Sequence, residues 1–221
     1  LRGDDTGVLL GDRILAASPA GSLVATTIVS STLLSRLAAA RGARFAQTLT
    51  GFKWLARAGE GLVYAYEEAI GHCVDPDAVR DKDGIATAVV AADYAAELKA
   101  AGRTLTDALV DLHREFGVHV GGQVSLRVDD PARIDAVMDR LRTAPPDRLA
   151  DEAVTFTDLA ATDGPLRTDA LVFEGATLRV VVRPSGTEPK LKFYLEVVDE
   201  RDRPAAEATL EVLRGWAASL G

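Results

Sequence analysis

The run LVATTIVSSTLLSRLAAARGARFAQT at residues 23–48 decides the fold of the first half of the chain. It opens with β-branched and apolar residues typical of a buried strand and continues with leucines at helical spacing after Ser30. Gly42 ends that helix, and a second short strand follows. A strand, a helix and a strand in this order predict a βαβ unit with parallel strands. A third strand is predicted at residues 62–66.

Two helices are predicted between this unit and the middle of the chain. Their buried faces are expected to carry two apolar stripes, Ile85, Val89, Ala92 and Ala96 in the first and Leu105, Ala108, Leu109, Leu112 and Phe116 in the second. Gly117 ends the second helix, and we place a domain boundary near residues 118–124. Residues 1–120 are therefore predicted to form an α/β domain with a mixed, largely parallel sheet.

Residues 121–221 are predicted to form a smaller α+β domain with an antiparallel sheet and helices on one face. Alternation of apolar and polar residues predicts its strands, at residues 124–128, 171–174, 177–182 and 191–198. One helix is expected after Pro131, and a last helix near the end of the chain. Residues 142–165 are rich in proline and are predicted to be a loop with at most one short strand.

The composition excludes several classes of protein. With 48% hydrophobic and 26% charged residues the chain is expected to be an ordinary globular protein, and no window has the roughly 18 apolar residues of a membrane span. A net charge of −8 argues against nucleic acid or an anionic membrane as a partner. The single cysteine, Cys73, cannot form an internal disulfide, which predicts a cytoplasmic location.

The polar segment RPSGTEPKLK at residues 183–192 lies between two predicted strands and is rich in groups that bind anions. These groups are a guanidinium, two hydroxyls, a flexible backbone and two ammonium groups, contributed by Arg183, Ser185, Thr187, Gly186, Lys190 and Lys192. We predict a phosphate-binding loop here. The alternative is a polar hairpin loop whose cations are only solvated.

Two loops of the first domain follow predicted strands, at the edge where ligands bind an open parallel sheet. TGFKW at residues 50–54 combines a tight turn, the cation Lys53 and two aromatic rings, which suits a sugar or a phosphate. An aromatic packing corner is the alternative. YEEAIG at residues 66–71 carries Glu67 and Glu68, whose carboxylates can accept hydrogen bonds from sugar hydroxyls. Taken alone, this second loop is better explained as an acidic helix N-terminus.

Two acidic stretches lack a clear ligand pattern of their own. Asp75 and Asp77 alternate, but the third alternate position is Val79, so we predict a surface loop and no metal ligands in this chain. Lys82 lies between two aspartates, which indicates either a poised ammonium group or a solvated run of charges. The residues alone favour the solvated run.

Four segments, taken in order and spacing, resemble the C-terminal half of the α-D-phosphohexomutase superfamily, which contains the phosphoglucomutases and phosphomannomutases. They are TGFKW at residues 50–54, YEEAIG at 66–71, DKDG at 81–84 and RPSGTEPKLKF at 183–193. The opening RGDDTGVLLGD at residues 2–12 also resembles the segment that follows the family's metal-binding loop. The YEEAIG variant is most similar to the branch with phosphopentomutase-type enzymes. The resemblance implies that the two predicted domains are the third and fourth of four.

The resemblance implies a phosphosugar mutase, which moves a phosphoryl group between the 1-position and the 6- or 5-position of a sugar through a phosphoserine and a bisphosphate intermediate. The family's phosphoserine loop and Mg²⁺ loop have no counterpart here. We therefore expect an inactive C-terminal part of a longer enzyme, with Mg²⁺ bound by the missing upstream loop. The expected partners are sugar monophosphates, sugar bisphosphate and the missing N-terminal domains. The alternative is a stand-alone sugar-phosphate binding module without catalysis.

The resemblance also implies roles for single residues. The phosphate that is not transferred is expected to contact Arg183, Ser185, Gly186, Thr187 and Lys192. The sugar is expected to contact Thr50, Gly51, Lys53, Glu67 and, as a weaker candidate, Glu68. Lys82 matches a basic residue near the reacting oxygen and is the expected catalytic residue. Many hexose-specific members have a serine where this chain has Ala69, which leaves the preference among glucose, mannose and pentose open.

Overall fold

The computed structural model describes all residues from 1 to 221, and they divide into two compact units, Leu1–Phe116 and Gly117–Gly221. The elements of the first unit are α1 (Gly3–Leu15), β1 (Leu23–Thr27), α2 (Leu33–Ala40), β2 (Arg44–Thr48), α3 (Phe52–Leu55), β3 (Leu62–Glu67), β4 (Gly71–Cys73), α4 (Gly84–Ala100) and α5 (Leu105–Phe116). Its four strands form sheet A in the order β2-β1-β3-β4.

Sheet A is largely parallel, as predicted. The central strand β1 pairs in parallel with both β2 and β3, and the short β4 returns antiparallel to β3. All residues of β1 are buried, because successive side chains point to opposite faces and each face has its own core. Val24 packs with the leucines of α1 and α2, whereas its neighbour Ala25 packs with Phe52 and Leu55.

The predicted buried stripe of α4 is wrong. Ile85 is 84% exposed and Val89 is 66% exposed, and Ala92 and Ala96 are exposed too. The helix packs instead through a different face, which contains Val90, Ala91, Tyr94 and Leu98. Alanine and valine occur all around α4, so the periodicity of apolar residues did not determine which face is buried.

The second unit begins with a long strand. Its elements are β5 (Val118–Arg127), α6 (Ala132–Thr143), β6 (Arg148–Leu149), β7 (Glu152–Ala153), β8 (Thr155–Asp158), β9 (Leu171–Glu174), β10 (Leu178–Pro184), β11 (Lys190–Asp199) and α7 (Arg203–Ala218). Five of these strands form sheet B in the order β5-β11-β10-β9-β8. All its pairings are antiparallel, which confirms the predicted fold class.

Helices α6 and α7 cover one face of sheet B. Alternate residues of the strands, such as Val180 and Phe193, pack there with Met138 of α6 and with Leu210 and Leu213 of α7. The other face carries the intervening residues of each strand. Sheet B therefore has one face packed against helices, as the alternating pattern indicated.

Two predictions for this unit, a long loop and the position at which the unit begins, differ from the structure. Residues 142–165 are not mainly loop, since they contain β6, β7, β8 and a 3-10 turn at Leu159–Ala161. Ala150 and Asp151 adopt positive φ values of 47° and 61°, which turns the chain tightly between β6 and β7. Strand β5 begins at Val118 and passes through residue 120, where the sequence placed the boundary. No helix of either unit has both the length and the apolar character needed to cross a membrane.

Candidate functional site

Two predicted sugar-site loops of the first unit are bonded to each other. Strand β2 ends at Thr48 and β3 at Glu67, and both strands end at the same edge of sheet A. The backbone N–H of Gly51 donates a hydrogen bond of 2.7 Å to Glu67 Oε1. Gly51 adopts a φ of +111°, a conformation that favours glycine. The structure thus brings two predicted site residues together and shows that Glu67 also holds the neighbouring loop.

Glu68 is engaged inside the protein. Its Oε2 lies 3.1 Å from the Ser30 hydroxyl and 3.4 Å from the Thr27 hydroxyl, and both hydroxyls donate to it. Burial raises the pKa of the Glu68 carboxyl above its usual value, and the hydrogen bonds from these hydroxyls only partly offset that effect. Glu68 therefore supports the loop after β1, which the sequence analysis did not foresee.

Lys82 lies beside the same hairpin. Its Nζ is 2.9 Å from Asp81 Oδ1 and 4.8 Å from the centroid of the Phe52 ring. A Cβ atom added to Gly71, the first residue of β4, would lie 2.8 Å from the Phe52 ring and 3.1 Å from Lys82 Cδ. Gly71 therefore leaves the space in which the ring and the lysine stem meet. Phe52 was expected as one of the two aromatic rings of the TGFKW loop, but its contact with Lys82 was not predicted.

The loop before α4 is fixed from both sides. The Asp83 carboxylate accepts hydrogen bonds from the N–H groups of Ile85 and Ala86, which caps α4, and the Asp83 N–H donates to His72 O at 2.9 Å. Lys82 precedes this cap directly, so its backbone is tied to β4. Half of the lysine side chain, 53%, is exposed and open to a ligand.

Thr50 and Lys53 are less closely tied to the other residues. Thr50 is partly buried, and Lys53 is exposed with its Nζ 5.4 Å from the centroid of the Trp54 ring. No hydrogen bond joins either side chain to Glu67, Glu68 or Lys82.

In the second unit, the predicted phosphate loop connects β10 and β11. Arg183 lies directly opposite Lys192 in the ladder of these strands. Ser185 N donates to Lys190 O at 2.9 Å, which closes the hairpin, and Ser185 is partly buried. Gly186 and Thr187 lie at the exposed tip, and a Cβ added to Gly186 would meet no atom within 4 Å. The loop backbone is therefore open to solvent.

The cations of this loop differ in their partners. The Glu188 carboxylate forms an ion pair with Lys190 and a second one, of 3.1 Å, with Arg127. These cations, Lys190 first, lower the pKa of Glu188. Arg183 and Lys192 have no carboxylate partner, and Lys192 Nζ lies 5.8 Å from the centroid of the Tyr194 ring. Of the two lysines in this loop, Lys190 pairs with Glu188, and only Lys192 has no carboxylate partner.

Two protein-family models match the chain. The first, described as phosphoglucomutase/phosphomannomutase, alpha/beta/alpha domain III, matches residues 2–116, which is more than half of the chain. The chain belongs to the phosphoglucomutase/phosphomannomutase family. The second model, the C-terminal domain of the same family, matches residues 124–209 of this family member. The resemblance stated from its motifs is thereby confirmed at the level of the family.

Curated relatives of this phosphoglucomutase/phosphomannomutase family member are longer than the chain. A Haemophilus influenzae protein named "Probable phosphomannomutase" is 41% identical over 196 residues, and the match covers 87% of this chain and 39% of that protein. A Staphylococcus haemolyticus phosphoglucomutase is 34% identical over 219 residues, with 88% of this chain and 40% of that protein covered. The chain thus spans about two fifths of the length of these relatives.

A solved structure shares the fold of this family member. The crystal structure of pp63/parafusin, a phosphoglucomutase from Paramecium, matches with a TM-score of 0.72 at 16% identity. The match covers 100% of this chain and 42% of that chain. At this identity the likeness concerns the fold alone.

Proposed function

We propose that this chain is the sugar-phosphate recognition part of a phosphosugar mutase. Such an enzyme moves a phosphoryl group between the 1-position and the 6- or 5-position of a sugar, through a phosphoserine and a sugar bisphosphate. The observation that carries the proposal is the pair of cations Arg183 and Lys192, which face each other across β10 and β11 without a carboxylate partner.

The second unit binds the phosphate that is not transferred. The Arg183 guanidinium offers two parallel N–H donors, and the Lys192 ammonium adds charge from the next strand. Ser185 and Thr187 supply hydroxyl donors, and the open backbone at Gly186 lets N–H groups approach the anion. Because Lys190 and Arg127 share the Glu188 carboxylate, Arg183 and Lys192 are the cations of this region that have no carboxylate partner.

The first unit binds the sugar. Glu67 uses Oε1 to hold Gly51, and its other oxygen accepts hydrogen bonds from sugar hydroxyls. Thr50 and Lys53 line the same loop, and Glu68 holds the hydroxyls of Thr27 and Ser30 in the loop after β1. The Lys82 ammonium donates a hydrogen bond to the reacting sugar oxygen and transfers a proton to or from that oxygen. Its exposure and its place beside the Glu67 hairpin support this role.

The groups that carry out the transfer belong to other domains of the enzyme. No group of three or more His, Cys, Asp or Glu side chains converges in the structure. We assign the Mg²⁺ and the phosphoserine of the family to N-terminal domains that act with this chain. Burial raises the pKa of the Cys73 thiol to about 11, which makes this thiol a poor nucleophile. The chain has one cysteine and no disulfide, a pattern typical of a reducing compartment, and we propose a cytoplasmic location.

The binding test is a titration of the labelled chain with glucose 1-phosphate, mannose 1-phosphate and ribose 1-phosphate, followed by backbone amide shifts. We expect shifts at Gly186 and at Glu67, with dissociation constants near millimolar, about −4 kcal/mol. Arg183→Ala should abolish the shift at Gly186. Arg201→Ala, which removes an exposed cation elsewhere in the second unit, is the control and should leave it unchanged. Unchanged binding in Arg183→Ala would disprove the phosphate site.

The same titration ranks the sugars. The YEEAIG loop is most similar to that of phosphopentomutase-type enzymes, so we expect the tightest binding for ribose 1-phosphate. A separate mutase assay on the 221-residue chain should show no turnover, since positioning alone supplies no phosphoryl donor. Turnover without an added partner would contradict the assignment of the phosphoserine and Mg²⁺ to other domains.

A further inference from the structure

The face of sheet B opposite the helices carries a row of polar side chains that crosses three strands. Arg183 of β10 pairs in register with Lys192 of β11, and Lys192 pairs in register with Ser125 of β5. Residues that oppose each other directly in an antiparallel ladder point to the same face of the sheet. Their chain neighbours Val182, Phe193 and Val124 point to the other face and pack in the core. Arg183, Lys192 and Ser125 therefore form one row on the face without helices.

The row is short enough for one anion to contact all of it. Neighbouring strands lie about 4.8 Å apart, so the row spans roughly 10 Å from Arg183 to Ser125. Long side chains extend from one end and the middle of the row, whereas the serine at the other end is short. A phosphate held by Arg183 and Lys192 can thus reach the surface of the sheet at Ser125.

The Ser125 hydroxyl is oriented by a neighbour on the same strand and face. Ser125 is exposed, and its Oγ accepts a hydrogen bond of 2.9 Å from Gln123 Nε2. Because Oγ acts as the acceptor in that bond, its own hydrogen remains free to donate. A donor beside two cations that have no carboxylate partner is suited to an anionic oxygen.

We propose that Ser125 is a further phosphate-binding residue of this chain and donates its hydroxyl hydrogen to the phosphate held by Arg183 and Lys192. The inference rests on the proposed function, since it assigns a third strand to the same phosphate site. It extends the site from the β10–β11 loop to β5, which the loop motif alone does not indicate.

The test compares Ser125→Ala with Thr157→Ala. Thr157 is also exposed, and its place in the β8–β9 ladder puts it on the same face of sheet B at the opposite edge. We expect Ser125→Ala to weaken the binding of both inorganic phosphate and glucose 1-phosphate about tenfold, as loss of a hydrogen bond to a charged group does. Ser125→Thr should restore most of the affinity, and Thr157→Ala should leave it unchanged.

The outcomes separate this inference from the proposed function. If Arg183→Ala abolishes binding while Ser125→Ala behaves like Thr157→Ala, the phosphate site stands and the role of Ser125 is wrong. If Ser125→Ala weakens only glucose 1-phosphate and not inorganic phosphate, Ser125 contacts the sugar and the inference is overturned as well. If Arg183→Ala leaves both ligands bound, the proposed function itself fails. Both serine variants alter an exposed side chain, so equal unfolding midpoints in urea verify that the fold is intact.

Discussion

At the β3–β4 hairpin of the first unit the candidate ligand groups already bond to the protein, whereas at the β10–β11 loop of the second unit they do not. Glu67 holds the N–H of Gly51, Glu68 accepts hydrogen bonds from hydroxyls, and Lys82 lies against the ring of Phe52. Arg183 and Lys192 have no carboxylate partner, although each is charged. The side chains of the first region are held in place by contacts within the protein, whereas the two cations of the second region have no carboxylate to pair with.

This difference determines what a mutation reports. A side chain with a partner in the protein contributes to stability, so its loss affects the fold before it affects the ligand. A cation without a partner contributes little to stability, and its loss is seen in binding alone. Changes at the hairpin should therefore shift unfolding, and changes at the loop should shift affinity.

Two glycines, Gly71 of the hairpin and Gly186 of the loop, provide the clearest contrast between the regions. A Cβ at Gly71 would lie 2.8 Å from the buried Phe52 ring, whereas a Cβ at Gly186 would meet nothing within 4 Å. We expect Gly71→Ala to cost about 1–3 kcal/mol, as overpacking does, and Gly186→Ala less than about 0.5 kcal/mol. Urea unfolding followed by amide signals of each unit measures both. Equal changes in the free energy of unfolding for the two substitutions would contradict the difference between the two regions.

Glu67 combines both kinds of role, and two variants separate them. Glu67→Ala leaves the Gly51 N–H without its acceptor and should destabilise the first unit by about 1 kcal/mol. Glu67→Gln keeps an oxygen acceptor at that position and should retain most of the stability. If the hairpin carboxylate also binds the sugar, the glutamine variant should still bind glucose 1-phosphate more weakly. Unchanged unfolding of Glu67→Ala would show that the bond to Gly51 contributes nothing.

The fold was predictable where the pattern of apolar residues defined one buried face. In β1 and α2 the order of strand, helix and strand predicted the parallel pairing of β1 with β2, whereas β3 was predicted as a strand without a partner. In α4 the pattern did not define a buried face, because alanines and valines lie on all sides of the helix. The predicted stripe at Ile85 and Val89 is exposed. The start of β5 was missed because Gly121 and Gly122 interrupt the alternation between Val120 and Val124.

The candidate site was predictable as a set of loops and not as a set of contacts. Strand order alone brings the ends of β2 and β3 to one edge, so Gly51 and Glu67 could be expected as neighbours. Which cation keeps its charge could not be predicted, since Glu188 neutralises Lys190 and not Lys192 through the geometry of the hairpin. The role of Ser125 could not be predicted, because its place beside Lys192 depends on the register of β5 with β11.

The pH dependence of stability should differ in sign between the two regions. Burial raises the pKa of Glu68, so its contribution is fully present below the ordinary value of 4.5 and is lost as pH rises through the raised pKa. Ion pairing lowers the pKa of Glu188, so its small contribution is present above 4.5 and is lost as pH falls. Glu68→Gln should therefore stabilise the first unit at pH 7 relative to the parent chain, and less so at pH 4. A gain that is the same in urea unfolding at both pH values would contradict the raised pKa.

The smallest effect is expected from Glu188, and its direction tests whether the loop is limited by charge. Glu188→Gln removes the carboxylate that pairs with Lys190 and Arg127, so the net charge of the loop rises by one unit close to Arg183. We expect glucose 1-phosphate to bind about twofold more tightly at low salt, an increase that screening removes at roughly 1 M salt, with unfolding unchanged. Glu200→Gln, which removes an exposed charge outside the loop, is the control. Weaker binding in Glu188→Gln would instead mean that the ion pairs hold the loop in its binding geometry, and the second region would then be prepared by its own contacts just as the first is.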